Sequence, residues 1–329
     1  MGRVVRFHQH GGPEVLAVET IDVVPPGRGE VRIWIKALGL NRAEALLRRG
    51  TYIETAKFPS GLGLEAAGIV EAVGEGVASF APDDIVSIVP PLSMVRWPAY
   101  AELANFPTEL LVKHPPELGF EAAAAVWMQY LTAYGALIDI AGLRRGNVVA
   151  ITAASSSVGL AAIQIANRIG AIPVALTRTS AKRRALRDAG AAHVIASHEE
   201  DIGARLAEIA GSNGVRVVFD AVGGPAFEPL TKAMSSGGIL IEYGGLSPEP
   251  TPFPLLNVLG KSLTLRGYLV HEITRDPARL ARAKTFILDG LSDGSLKPII
   301  AKTFRFEDIV EAHRFLESNE QFGKIVVTI

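Results

Sequence analysis

The chain has 329 residues, 48% of them hydrophobic, a formal net charge of −1 and no cysteine. That length exceeds what a single hydrophobic core supports, so two domains are expected. The near-zero charge removes the basic footprint of a nucleic-acid binder and any attraction to anionic membranes. Absence of cysteine excludes disulfides, thiol catalysis and thiolate metal sites.

In chain order, the opening MGRVVRFHQHGG has no apolar core of signal-peptide length, which points to a cytoplasmic protein. His8 and His10 form an HxH on a predicted strand. Short strands follow at 31–39, 68–76 and 84–90; within the first, VRIWIKA alternates apolar and polar as a half-buried antiparallel strand should. Glycines in 61–76 and prolines at 90, 91 and 98 punctuate the loops. The uncharged stretch Ala122–Ile138 has 17 residues. It is shorter than the roughly 20 a spanning helix needs, and predicts a buried helix that aims Gln129 and Thr132 at a site.

From about residue 121 the pattern becomes strand–helix alternation. Strands are expected at 147–153, 172–177, 193–196, 215–220, 238–243 and 262–269, with helices at 157–169, 180–189, 199–210 and 226–235. Continuous apolar strands alternating with helices predict an α/β fold with a doubly wound parallel sheet. After residue 270 come a polar helix at 276–289, FEDIVEAHRFLES and the closing strand GKIVVTI. The expected division is therefore a β-rich domain at 1–120 completed by 271–329, and a nucleotide-binding domain at 121–270.

The first strand of that second domain runs into ITAASSSVGL at 151–160. A strand, a turn of small residues and an amphipathic helix form a dinucleotide-binding unit. Here Ala153 and Ser156 occupy two of the glycine positions and Gly159 the last. Ser155, Ser156, Ser157 and Val158 would offer N–H groups and hydroxyls to a pyrophosphate at the helix N-terminus. The competing reading is that the serines only cap the helix. An NAD site carries an acidic residue at the end of the second strand, but no carboxylate lies between Ala171 and Arg187. Thr177, Arg178, Ser180 and Lys182 stand there instead and suit the 2′-phosphate of NADPH.

Several blocks together resemble the medium-chain dehydrogenase/reductase superfamily, in its zinc-less quinone oxidoreductase branch: GGPEVL (11–16), ALGLNRAE (37–44), GLEAAGIVEAVGEGV (63–77), YLTAYGAL (130–137), the serine loop, DAVGG (220–224) and GKIVV (323–327). The resemblance implies a GroES-like catalytic domain split around a Rossmann domain, an active site in the cleft between them, and a homodimer. Zinc members carry Cys where this chain has Asn41 and His where it has Leu64, so no metal is expected. The resemblance places Asn41, Tyr52 and Thr132 near the reacting groups, and Val222, Gly244, Leu246 and Lys324 along the cofactor. Leu46 and Ser197 stand where quinone reductases often carry tyrosines.

NADPH without a metal suits hydride delivery to a conjugated carbonyl compound. The expected activity is quinone reduction. Tyr52 matches a tyrosine of enoyl-thioester reductases, which keeps that activity open, with Arg48 and Arg49 as candidate phosphate ligands. A non-catalytic NADPH-binding protein is the third reading. Trp97, Trp127, Met128 and Tyr130 are core residues unless they line a pocket.

Overall fold

Alternation in VRIWIKA becomes the central strand of a largely antiparallel sheet. In the computed structural model, which describes residues 1–329, Val31, Ile33, Ile35 and Ala37 are buried while Trp34 is exposed. The chain divides into two units, Met1–Met128 with Pro298–Ile329, and Gln129–Lys297.

The first unit opens with a two-stranded ribbon, β1 (Gly2–Arg6) and β2 (Ala17–Ile21). Then come β3 (Glu30–Gly39), β4 (Ala66–Val73), β5 (Ile85–Ile88), β6 (Leu103–Pro107) and β7 (Leu111–Lys113). β3 pairs antiparallel with β4 and β6, and β4 continues the sheet through β5 to β7. His8 and His10 lie on a bend just beyond β1, not on the strand; the His8 ring meets Glu19 and the His10 ring meets the Arg48 carbonyl, so the HxH does not converge on one ligand.

The second unit carries β8 (Val148–Ile151), β9 (Ile172–Thr177), β10 (His193–Ala196), β11 (Val215–Asp220), β12 (Met234–Glu242) and β13 (Thr264–Gly267). All pair in parallel, in the order β10-β9-β8-β11-β12-β13. The apolar runs of β8, β9, β10 and β11 are buried on both faces, as a parallel sheet covered by helices requires. The order reverses at β8, and in such sheets ligands bind outside the carboxyl ends of the strands at that reversal.

The expected α/β architecture is present, and its unit boundaries fall elsewhere. Helix Pro277–Ser292 stays with the second unit: it buries Leu280, Ala283 and Ile287, Arg279 pairs with Asp139 at 2.6 Å, and Arg168 pairs with Asp293 at 2.5 Å. The second boundary therefore lies after Lys297, and the first after Met128. Only then do β14 (Ile300–Arg305), helix Ile309–Ser318 and β15 (Lys324–Thr328) return to the first unit, where β15 pairs with β3. The sheet there runs β14-β15-β3-β4-β5-β7.

The single helix expected over Ala122–Ile138 is broken into Phe120–Ala123, Trp127–Tyr134 and a π-helical Gly135–Ile140. The break has a packing cause. Ala123, Ala124 and Ala125 press against Ala37, Ala67 and Val326, and a Cβ on Gly39 would meet the Ala124 carbonyl at 2.1 Å. Helical continuity gives way to that close approach.

Candidate active site

In the second unit the serine loop caps the helix that follows β8. Ala153 holds a left-handed backbone (φ 44°), a conformation that favours glycine and explains why a small residue sits there. The Ser156 hydroxyl accepts the Gly159 N–H at 3.0 Å and caps helix Ser157–Ile169. A Cβ on Gly159 would lie 2.6 Å from Ala154 Cα, so the last glycine position is a true close approach of helix to strand.

The cationic segment after β9 reaches this turn, with Lys182 Nζ donating to Ser155 Oγ at 3.3 Å. Thr177 closes β9, and its carbonyl accepts the Ser197 N–H at 2.8 Å. Ser180 is already engaged: its N–H donates to Glu199 at 3.0 Å. That hydrogen bond is the main reason the Glu199 carboxyl titrates below its ordinary value. A carboxylate absent from the β9 segment in sequence thus arrives from beyond β10.

Beside β8, the loops after β11 and β12 are laced together. Val222 donates to Asp220 at 2.9 Å, Ser247 donates to the Val222 carbonyl at 2.9 Å, and Leu246 donates to the Ala221 carbonyl at 3.1 Å. A Cβ on Gly244 would sit 2.8 Å from the Ala221 carbonyl. Thr152, Asp220 and Glu242 form a row across three strands, with Thr152 Oγ1 donating to Asp220 at 2.5 Å and Glu242 in register with Asp220. The Glu242 carboxyl oxygens are buried without a hydrogen-bond partner. Burial first, and the Asp220 carboxylate second, push Glu242 up to about 9, so it is a neutral acid at pH 7. Tyr243 stacks on Phe219 with centroids 4.0 Å apart, and its hydroxyl is buried. Neither residue stood out in the sequence; an acid closing the apolar run ILIE was the only signal. Thr132 is buried on helix Trp127–Tyr134.

In the first unit Asn41 precedes helix Arg42–Arg49 and sits in a buried polar cluster. Glu44 is fully buried and accepts four hydrogen bonds: Asn41 N–H at 2.6 Å, Asn41 Nδ2 at 3.1 Å, Leu64 N–H at 3.0 Å and Tyr100 hydroxyl at 2.6 Å. Burial outweighs these donors and lifts its carboxyl to about 7. Lys324 is equally buried, and its ammonium donates to Asn41 Oδ1 at 2.7 Å and to Glu65. The other Glu65 oxygen accepts the Met128 N–H at 3.0 Å. Gly39 leaves the room for this pair, since a Cβ there would be 2.7 Å from Lys324 Cε.

Tyr52 is half-buried against the main core of the first unit. Burial, then Glu54 and Glu44, push its phenol up to about 12, so it is a neutral donor at physiological pH. Arg48 and Arg49 are not an exposed basic pair. Arg48 is fully buried, donates to the Gly11 carbonyl at 2.6 Å and pairs with Glu317, which also takes Arg49 at 2.7 Å. Trp127 and Tyr130 are core residues, and the Tyr130 hydroxyl donates to Gln164 at 2.7 Å.

The sequence matches two family profiles, "Alcohol dehydrogenase GroES-like domain" over residues 27–116 and "Zinc-binding dehydrogenase" over residues 157–285. Despite the second description, the donor set does not suit zinc. Leu64 is apolar, Glu65 is tied to Lys324, and no three His, Cys, Asp or Glu side chains converge. Quinone oxidoreductase 1 of Escherichia coli K12 is 33% identical over 328 residues, covering 98% of each chain. The crystal structure of E. coli quinone oxidoreductase complexed with NADPH is 30% identical with a TM-score of 0.91, covering 99% of this chain and 100% of that one. A structure described as an NAD-dependent alcohol dehydrogenase is 32% identical with a TM-score of 0.89, covering 99% of each.

Proposed function

The chain belongs to the quinone oxidoreductase-like branch of the medium-chain dehydrogenase/reductase superfamily, and from that premise we propose that it reduces quinones or similar conjugated carbonyl compounds with NADPH, without a metal ion. The observation that carries the cofactor choice is Lys182 at the serine turn, four residues after Arg178, with no acidic residue on the segment where an NAD site keeps one. Similarity to an NAD-dependent relative is outweighed by that local chemistry.

NADPH, when bound, supplies the hydride. Ser155, Ser156, Ser157 and Val158 hold its pyrophosphate at the helix N-terminus. Thr177, Arg178, Ser180 and Lys182 surround the 2′-phosphate. Val222, Gly244, Leu246 and Thr132 border the nicotinamide half. Charge develops on the acceptor oxygen as it is reduced, and a positioned neutral donor stabilises it; Tyr52 has the protonation state for that role. Lys324 contributes through Asn41, since its ammonium is committed to Asn41 and Glu65.

Chain association is read as a homodimer. β13 is an edge strand, and Phe253, Leu255, Leu256 and Leu259 beside it are exposed apolar residues. Sedimentation at micromolar concentration tests it, with a monomer as the contrary result. No helix is long and apolar enough to cross a membrane, and the low charge gives no reason to expect nucleic acid as a partner.

Tyr52 also favours a second reading, an enoyl-thioester or enone reductase. Arg48 and Arg49 lend it no support, because Arg48 is fully buried and both are engaged by Glu317. Initial rates with NADPH on a benzoquinone, a simple enone and crotonyl-CoA separate the readings. The quinone should turn over fastest, and a dominant thioester rate would replace the first reading by the second.

A further inference from the structure

Asn41 is oriented by its surroundings to a degree that fixes what it can recognise. Both hydrogens of its side-chain amide are engaged, one by the Gly39 carbonyl at 3.1 Å and one by Glu44 at 3.1 Å. Its oxygen faces the Lys324 ammonium at 2.7 Å. Rotating the amide by half a turn would aim the NH2 at an ammonium and the oxygen at a carboxylate and a carbonyl, so the assignment of oxygen and nitrogen has a physical basis. Asn41 and Glu44 stand in the capping-box relation. The Asn41 N–H donates to the Glu44 carboxylate at 2.6 Å, and the Glu44 N–H donates to the Asn41 carbonyl at 3.3 Å. With both donors committed, a carboxamide keeps only acceptor capacity on its oxygen.

We propose that Glu44, with the Lys324–Glu65 pair, is a positioning residue that locks the Asn41 carboxamide as an acceptor, so that Asn41 receives a hydrogen bond from a ligand hydroxyl and does not donate one to the acceptor's carbonyl oxygen. This rests on the placement of Asn41 at the reacting site argued above. The ligand chemistry is an O–H donor, either a ribose hydroxyl of the dinucleotide or the hydroxyl of the hydroquinone product. Polarising the carbonyl oxygen then falls to another donor, and the neutral phenol of Tyr52 meets that need.

The test compares Glu44→Gln, which keeps the shape but puts an NH2 donor where an accepting oxygen stands, with Asn41→Ala. Three quantities are read: the NADPH dissociation constant by fluorescence titration, hydroquinone product inhibition, and the KM of the quinone. Both variants should weaken NADPH binding if the hydroxyl is the ribose's, or product inhibition if it is the hydroquinone's. The loss should be about tenfold, the equivalent of one hydrogen bond, with the quinone KM unchanged. A raised quinone KM with the other two unmoved would make Asn41 a donor and overturn the proposal. An effect of Asn41→Ala that Glu44→Gln does not share would remove Glu44 from the account. If Asn41→Ala moves nothing, it is the placement of Asn41 at the site that fails. Should Glu44→Gln not fold, the wild-type protein still decides: the side-chain amide protons of Asn41, assigned by their absence in Asn41→Ala, must exchange slowly with solvent, and rapid exchange contradicts the lock.

Discussion

Lys182 reaches back from the segment after β9 to donate to Ser155 on the turn after β8, at 3.3 Å. Two segments 27 residues apart thereby place a cation beside a hydroxyl, so that one anion binding there would meet both. If that anion is the 2′-phosphate, Arg178→Glu and Lys182→Ala should each weaken NADPH by about ten- to a hundredfold, the range of a charge-assisted hydrogen bond. NADH should change little. Calorimetric titration of both dinucleotides checks this, and equal losses would remove the clamp.

Glu199 supplies the counter-prediction. Its carboxylate occupies the Ser180 N–H in this structure, where it would compete with a phosphate bound at that segment and repel it. Glu199→Gln should tighten NADPH several-fold, as expected for relief of one exposed like-charge contact, and leave NADH binding as it was. A loss of NADPH affinity would show that Glu199 holds the segment in its binding form.

Ser156 separates the cap from the ligand role. Ser156→Gly should cost only a few tenths of a kcal/mol and Ser156→Ala about 1 kcal/mol, because glycine is tolerated at an N-cap and alanine is not. NADPH affinity should hold in the glycine variant, since its N–H remains and the backbone may approach as closely as before. Urea denaturation gives the first pair of values and titration the second. A large loss of affinity in Ser156→Gly would make the hydroxyl itself a phosphate ligand.

Glu242 makes stability depend on pH in a stated direction. Its folded value of about 9 lies above the ordinary 4.5, so the folded state holds a proton that the unfolded chain releases. The contribution is fully present below the ordinary value and is lost as pH rises through the folded one. Glu242→Gln, neutral at every pH, should therefore gain on wild type progressively as pH rises from about 5 to about 9. Melting temperatures across that range check it. A gap independent of pH would mean that Glu242 is ionised in the fold.

Much of this was legible in the sequence, for physical reasons that differ by element. The strands at 172–177, 193–196 and 215–220 have the bounds that their apolar runs indicate, since strands buried on both faces read as continuous hydrophobic segments. The helix at 157–169 is equally plain, between a serine cap and Gly170 in the left-handed conformation. Helix 276–289 was legible as a helix but not in its allegiance, because the arginines that tie it to the second unit look like a solvated face. Arg48 and Arg49 look like a matched pair, yet neighbours on a helix point about 100° apart, and Arg48 turns inward.

Contacts between distant positions left no local trace. Asn41 and Lys324 are 283 residues apart, and only the pairing of β15 with β3 brings them together. Glu242 meets Asp220 through the register of two parallel strands, which no window of sequence contains.

The most direct test of the central claim is NADPH consumption by the full chain with a benzoquinone, in buffer containing a metal chelator, with NADH in parallel. Turnover that survives chelation and prefers NADPH is the expected result. Loss of activity on chelation, or a preference for NADH, would contradict it.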